Sequence, residues 1–272
     1  KYEGEEKKVW LRCAPHQDGY LIDLCDDQWR VVYVTPHGWQ VLNQSPVIFI
    51  RTKAMSALPT PSDVSDFNKL WSYANVSKED RPFVAAWMIE ACRPDTPYPP
   101  LELGGFYGHA KSSTQRAIRR VIDPSRVDLR VEPKTTEDLL VSARNNHIVS
   151  LNNITHLSPA RQDALCSIST GGGVGGRKFY TNSEESLFEI KRPVMINGIK
   201  TLATAPDLVD RTVRIELPKL KKYRQESELW PEFEEDHPVI FSGFLDLFSR
   251  TLAILPSIVI ERPPRMADFA HL

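Results

Sequence analysis

The chain has 272 residues, of which 41% are hydrophobic and 25% charged, and its formal net charge is −1. This composition is typical of a globular protein with one large domain or two smaller ones, and it excludes a disordered chain. The near-zero net charge excludes a strongly basic nucleic-acid-binding protein, although a local basic patch is compatible with it.

Residues 8–52 read as short strands. "KVWLRCA", "GYLIDLC", "WRVVYVT", "GWQVLN" and "VIFIRT" are rich in Val, Ile, Trp and Tyr, and turn signals such as "PHQDG" and "PHG" separate them. We therefore predict a small antiparallel β module over residues 1–55. A linker and helical segment follows over 56–98, in which Phe83, Val84, Trp87 and Met88 are expected to line one face of a helix.

From residue 99 to 272, predicted strands alternate with predicted helices, which is typical of an α/β domain with a mostly parallel sheet flanked by helices. "LELGG", "HIVSLNN", "RPVMING" and "RTVRIELP" are the strands. The domain ends in an amphipathic helix from Pro238 to about Leu255. That stretch carries Asp246 and Arg250, so we expect a packed helix and no membrane span.

The cysteines Cys13, Cys25, Cys92 and Cys166 are scattered and form no CxxC pair. This pattern, with no signal peptide, predicts reduced thiols in a cytoplasmic protein. Because the sequence starts at Lys1 without a methionine, we expect a piece of a longer protein or a processed one.

The stretch "GGFYGHAKSST" lies between a predicted strand and a predicted helix, the context of a phosphate-binding loop of pattern G-x-x-x-x-G-K-[ST]. In such a loop backbone N–H groups surround the β-phosphate, the lysine bridges the β- and γ-phosphates, and the following hydroxyl coordinates Mg²⁺. We predict that ATP and Mg²⁺ bind here, through Gly105, Gly108, His109, Ala110, Lys111, Ser112 and Ser113.

Ala110 stands where the pattern has its second glycine. No role in phosphate binding needs a side chain there. Alanine is acceptable if the residue has right-handed helical dihedrals, because only a positive φ demands glycine. We therefore expect the loop to be intact. A basic cluster at helical spacing, Arg116, Arg119 and Arg120, follows it, and we predict a solvated face or subunit contact.

Candidate catalytic residues follow the loop in order. Asn152 and Asn153 end the apolar strand 41 residues beyond Lys111, where a magnesium-holding acid is expected; Asn197 ends the next strand, and Arg211 opens the last one. An asparagine oxygen can accept a hydrogen bond from metal-bound water, but it supplies no negative charge and cannot act as a base.

This order of motifs resembles the superfamily-three helicase branch of AAA+ ATPases, and more closely the phage- and plasmid-type ATP-binding proteins related to primase-helicases of mobile elements. The resemblance covers about residues 85–270 and is carried by "GHAKSSTQRAIRRVIDPS", "DALCSISTGGGVGGRKFYTN", "RPVMINGI", "PDLVDRTVRIELP" and "RMADFA". It implies that Asn152 takes the acidic position, with Mg²⁺ held through Ser112 and Asn152. Asn197 would orient the attacking water, and Arg211 would be an arginine finger.

The resemblance also implies partners. Its hairpin, here with Arg177, Lys178 and Tyr180, would grip single-stranded or forked DNA, and a mixture of cations and an aromatic suits phosphate contact with base stacking. It implies a homo-oligomer, with a hexamer as one form, and a primase-type domain upstream.

Three functions stay open at this point: an oligomeric DNA-associated ATPase or helicase of a mobile element, a nucleotide-binding scaffold with little or no hydrolysis, and a structural fold without nucleotide. The missing acid at position 152 separates the first two. Asp163 and Glu137 are substitute acids by sequence proximity alone.

Overall fold

The computed structural model describes residues 7–171, 173–177, 185–262 and 264–272. The strands are β1 (Val9–Trp10), β2 (Cys13–His16), β3 (Gly19–Asp23), β4 (Val31–Thr35), β5 (Gly38–Leu42), β6 (Ile48–Phe49), β7 (Leu101–Gly104), β8 (Val149–Ile154), β9 (Gly173–Arg177), β10 (Glu185–Glu189), β11 (Val194–Gly198) and β12 (Val213–Glu216). The helices are α1 (Arg81–Glu90), α2 (Lys111–Ile122), α3 (Thr136–Asn145), α4 (Pro159–Thr170), α5 (Pro206–Val209), α6 (Glu226–Ile254) and α7 (Ala267–Ala270), with 3-10 turns at Phe67–Ser72 and Leu255–Ser257.

The amino-terminal strands form the predicted antiparallel sheet, in the order β2-β3-β4-β5. The first and last predicted strands behave differently, since β1 and β6 pair with each other in parallel. The antiparallel sheet packs directly against the rest of the fold. Its side chains Tyr20 and Val34 belong to the same buried cluster as Trp87 and Phe244.

A parallel four-stranded sheet with the order β12-β7-β11-β8 confirms the predicted α/β class. β8 follows β7 in the sequence, but the two strands do not pair, because β11 lies between them. Since parallel strands end at one edge, the carboxyl ends of β7, β11 and β8 meet there. This order brings the predicted loop and both predicted asparagine positions to a single edge.

The carboxyl-terminal helix α6 is longer than predicted. It begins at Glu226 and contains both Pro231 and Pro238, so the expectation of a start at Pro238 was wrong. Tertiary packing explains the difference, because Phe233 and Phe241, on either side of Pro238, are completely buried. Within the described chain, Glu226–Ser257 is the segment long and apolar enough to cross a membrane, and 56% of its most apolar window is buried inside the fold.

Helix α1 buries Val84, Trp87 and Met88 as predicted, but Phe83 is 54% exposed. The prediction for that residue was wrong. In a helix of only ten residues, the buried stripe is narrower than the sequence spacing indicated.

The basic cluster on α2 is structural. Arg119 is completely buried and donates to the backbone oxygens of Val127 and Asp128, so the prediction of a solvated arginine was wrong at this position. Arg116 and Arg120 each place a guanidinium 4.8 Å from the ring of Trp230 at the start of α6. The cluster therefore fixes α2, the helix that follows the loop, against α6.

A buried ion pair joins the antiparallel sheet to the end of α2. Arg12 donates to Asp123 at 3.1 Å, and both side chains are almost completely buried. Burial would raise the pKa of Asp123, but the charges of Arg12 and Arg119 outweigh it, so the pKa lies below its usual value. The end of α2 is thereby held in position relative to both sheets.

Candidate functional site

The glycine-rich loop connects β7 to α2 and uses backbone conformations that favour glycine. Gly105 has a φ of 144° and Gly108 a φ of 78°. A side chain at Gly108 would also meet the hydroxyl of Tyr223, which would lie 2.4 Å from the added Cβ. Between these glycines, Phe106 and Tyr107 are exposed. The two glycines therefore allow a loop whose backbone folds over the start of α2.

Ala110 departs from the sequence expectation. Its φ of 55° and ψ of 32° are left-handed, so the assumption of right-handed helical dihedrals was wrong. The Cβ of an L-residue crowds the following carbonyl in this conformation, at a cost of roughly 1–2 kcal/mol. The second glycine of the loop pattern thus has a backbone reason, and this chain carries strain at that position.

We expect Ala110→Gly to stabilise the protein, because glycine adopts a positive φ without the clash. The gain should be about 1 kcal/mol after allowing for the greater freedom of glycine in the unfolded chain. Thermal unfolding should show a rise of a few degrees in the midpoint. Ala253→Gly is the control: Ala253 is exposed on α6, and glycine there should destabilise by roughly 1 kcal/mol. An Ala110→Gly variant as destabilised as the control would contradict the strain at position 110.

Lys111 lies over the loop. Its ammonium donates to the carbonyl oxygens of Gly105 at 2.7 Å and Phe106 at 2.9 Å. Burial lowers the pKa of Lys111, and the charge of Glu216 opposes that shift in part. The N–H groups of Lys111, Ser112 and Ser113 occupy the first turn of α2, where a helix has no intrahelical acceptor for them. A cation and helix-terminal donors thus converge on one place, which is what an anion requires.

The polar strand ends meet beside Ser112. The Ser112 hydroxyl donates to Asn152 Oδ1 at 2.7 Å, and the same oxygen accepts from Asn197 Nδ2 at 2.7 Å. Asn197 Oδ1 accepts in turn from the backbone N–H of Asn153 at 2.8 Å. Asn153 has a left-handed φ of 56°, which asparagine tolerates better than most residues. The structure thus brings together Ser112, Asn152 and Asn197, three residues predicted from distant segments.

Gln115 completes this network, although the sequence analysis did not select it. Its Nε2 donates to Ser150 Oγ at 2.8 Å and lies 3.2 Å from the backbone oxygens of Leu151 and Met195, while its Oε1 accepts from Asn197 Nδ2. The residue is completely buried, and it fixes the orientation of Asn197. A polar residue four positions after Lys111, on the face of α2 toward the sheet, was the available signal.

A cavity of about 500 Å³ opens over the loop and the asparagines. Besides loop residues, two segments that sequence reasoning missed form its walls: residues 71–75, and residues of the segment 220–229 that leads into α6. Asn75 joins the first of these segments to the loop and to the residues after β12, because its Nδ2 donates to the backbone oxygens of His109 at 3.1 Å and Pro218 at 2.6 Å. The lining residues are Trp71, Ser72, Tyr73, Ala74, Asn75, Tyr107, Gly108, His109, Ala110, Lys111, Ser112, Ser113, Asn153, Asn197, Ile199, Leu220, Lys222, Tyr223, Arg224, Glu226 and Leu229.

The remaining predicted residues lie in different places. His109 Nδ1 is 2.6 Å from the backbone oxygen of Leu217, so its ring braces the loop against the residue after β12. Arg211, before β12, is at the opposite edge of the sheet from the loop and pairs with Asp207 at 3.2 Å. Asp163 and Glu137 do not line the cavity in the described part of the chain.

The predicted DNA hairpin is described only in its backbone. β9 and β10 pair antiparallel, with Arg177 opposite Glu185. Lys178, Tyr180 and the side chain of Arg177 lie outside the described part of the chain. Among the described residues, no group of three or more His, Cys, Asp or Glu side chains could hold a metal ion.

The fold and the site define the class: a parallel α/β domain with a glycine-rich loop, a lysine-bearing helix and polar strand ends at one edge. A family model described as the actinomycete integrative conjugative element replication protein matches residues 64–272, and the chain belongs to that family. The prediction of a mobile-element replication protein is confirmed at this level. The comparison with curated proteins gave no match.

Three solved structures are similar to the chain. The apo C-terminal region of NrS-1 is 12% identical, with a TM-score of 0.47, over 83% of this chain and 66% of that one. The active helicase Cch of SCCmec type IV is 12% identical, with a TM-score of 0.48, over 92% of this chain and 47% of that one. JCV helicase is 13% identical, with a TM-score of 0.36, over 72% of this chain and 60% of that one.

Proposed function

We propose that this chain is the ATP- and Mg²⁺-binding domain of a mobile-element replication protein, an oligomeric ATPase that works on DNA. One observation carries the proposal: Lys111, Ser112 and Asn197 line one cavity of nucleotide size, and Asn152 accepts hydrogen bonds from both Ser112 and Asn197.

The triphosphate is assigned to the loop. Lys111 now donates to two carbonyl oxygens, and a phosphate oxygen is a stronger, charged acceptor in the same place. Backbone N–H groups at the start of α2 and the partial positive charge of the helix N-terminus add to the attraction. Lys222 and Arg224 line the same cavity and add positive charge to its outer wall.

The base is assigned to the part of the cavity that the loop does not line. Residues 71–75 and the segment around Tyr223 and Leu229 bring aromatic and aliphatic surface to the cavity. Apolar and aromatic surface with a few fixed polar groups is the usual environment of a bound base. Both segments lie within the family match, which covers residues 64–272.

The magnesium ion is assigned to Ser112 and, through water, to Asn152. Both oxygens are already within 2.7 Å of each other, so a metal would replace the direct hydrogen bond between them. Oxygen ligands suit Mg²⁺, which keeps several of its waters in such sites. Asn152 brings no charge, which makes this a weaker metal site than one with a carboxylate.

Asn152 supports the second candidate function, a nucleotide-responsive scaffold with little or no hydrolysis. Glu216, the carboxylate that acts on the pKa of Lys111, is the last residue of β12, on the far side of β7 from β8. Arg211 does not line the cavity of its own chain, so as a finger it would serve the site of a neighbouring copy in a ring. The hairpin β9–β10 is the assigned DNA contact.

Calorimetric titration with ATP, with and without Mg²⁺, tests the binding site, and phosphate release with and without single-stranded DNA tests turnover. We expect ATP to bind, Mg²⁺ to tighten binding only modestly, and turnover to be slow. Absence of ATP binding would refute the proposed function. Binding without measurable turnover would select the scaffold, whereas turnover stimulated by DNA would select the motor.

A further inference from the structure

A second cavity, of about 430 Å³, lies away from the glycine-rich loop, near the opposite edge of the parallel sheet. One wall comes from the amino-terminal part of the chain and the other from α3 and the segment before β11. Thr52 Oγ1 donates to the backbone oxygen of Asn145 at 2.7 Å and joins the two walls. We call this cavity the basic cleft; its lining residues include Lys8, Trp10, Arg144, Lys191 and Arg192.

Four cations from separate parts of the chain converge on the basic cleft: Lys8 before β1, Arg144 at the end of α3, and Lys191 and Arg192 before β11. Among the described lining residues none is Asp or Glu. In a chain whose net charge is −1, such a concentration of positive charge is local and specific. A low-dielectric cleft lined by one sign of charge attracts ligands of the other sign.

Arg192 is the innermost of these charges. Its Nε donates to the backbone oxygen of Ala143 at 3.0 Å and its NH1 to that of Lys191 at 2.8 Å. Burial lowers its pKa against the opposing effects of Tyr98 and Asp123. Within the described part of the chain no carboxylate forms an ion pair with it. A guanidinium held in position by carbonyl groups, with no carboxylate on it, suits a phosphate.

Trp10 gives the basic cleft an aromatic surface. The ring packs against the buried cluster that contains Leu21 and Phe49, and the ammonium of Lys8 lies 4.3 Å from its centroid. A ring that packs against the fold and has a cation beside it can accept a stacked base. Aromatic rings next to cations are how proteins bind single strands without sequence preference.

The basic cleft adjoins the root of the hairpin. Lys191 comes two residues after the end of β10, and Arg192 leads into β11. A single strand that contacts the hairpin would therefore find the cleft where the hairpin leaves the sheet. An acidic peptide would use the cations but has no need of the ring.

We propose that the basic cleft binds single-stranded nucleic acid, with a backbone phosphate at Arg192 and an adjacent base on Trp10. The site is separate from the ATP cavity, and it extends the proposed function, which leaves DNA contact to the hairpin. A free nucleotide or inorganic phosphate shares the phosphate chemistry, so the experiment includes both.

The test measures binding of a fluorescent oligo-dT by anisotropy over a range of salt concentrations, without ATP. Lys8→Gln/Lys191→Gln should weaken binding about tenfold at low salt and reduce the slope of log K against log salt by about 1.4, or 0.7 per lost contact. Trp10→Leu should weaken binding by roughly 5- to 100-fold. Lys78→Gln/Lys221→Gln, two exposed lysines outside the basic cleft, is the matched control and should bind as the unmodified chain does.

Unchanged affinity and salt slope in Lys8→Gln/Lys191→Gln would overturn the proposal, as would displacement of oligo-dT by equal concentrations of dTMP or inorganic phosphate. Lys8→Gln alone, at an exposed position, gives the same answer with a smaller effect if the double variant unfolds. ATP affinity should be unchanged in every variant. If the unmodified chain does not bind ATP, the proposed function is refuted, whereas the assignment of the basic cleft to single-stranded nucleic acid is not affected.

Discussion

Lys111→Ala is expected to abolish measurable ATP binding. The side chain brings the loop its ammonium, which lies within 3 Å of two carbonyl oxygens where phosphate oxygens are assigned. A hydrogen bond to a charged group contributes about 1.5–3 kcal/mol, so losing two should weaken binding on the order of 10²-fold or more. Calorimetric titration with ATP, or displacement of a fluorescent analogue, measures the change.

The fold should survive this substitution, because Lys111 is partly exposed and its two partners are backbone oxygens that water can reach. Thermal unfolding checks that. Lys221→Ala is the matched control: it removes an exposed lysine near the cavity that does not line it, and ATP affinity should be unchanged. ATP affinity that stays the same in Lys111→Ala would remove the site assignment.

Local signals were sufficient for the strand–loop–helix unit and for the strands that carry Asn152 and Asn197 near their carboxyl ends. Each of these is specified by a short run of apolar residues followed by a turn or a polar residue. Because the sheet is parallel, the loop and the two asparagines were expected to meet at its carboxyl edge. The hydrogen bonds from Ser112 and Asn197 to one oxygen of Asn152 agree with that expectation.

Non-local features could not be predicted in the same way. The wall at residues 71–75 reaches the loop through Asn75, which bonds to groups 34 and 143 residues away. The helical spacing predicts Arg119 on the surface, yet it is buried against Asn146 and the segment after α2. The left-handed φ of Ala110 is set by the folded loop, and an alanine in the sequence does not indicate it.

The polar network of the site depends on the side-chain oxygen of Asn152. In its described hydrogen bonds the Asn152 side chain acts only through Oδ1, which accepts from both Ser112 and Asn197. Aspartate has the same shape and can accept both bonds, so Asn152→Asp should leave the network in place. The change replaces an amide nitrogen by a second oxygen and adds the negative charge that a magnesium site uses.

We expect Asn152→Asp to raise the steady-state rate of ATP hydrolysis on the order of 10²-fold, because a charged group placed where the metal binds stabilises the developing transition-state charge. It should also make ATP binding more dependent on Mg²⁺. Phosphate release with and without single-stranded DNA is the measurement, and Asn43→Asp, an exposed site in the antiparallel part, controls for net charge. Brisk turnover in the unmodified chain, with no gain from Asn152→Asp, would mean that another group supplies the missing charge. Glu216, the carboxylate already acting on Lys111, would then be the first residue to substitute.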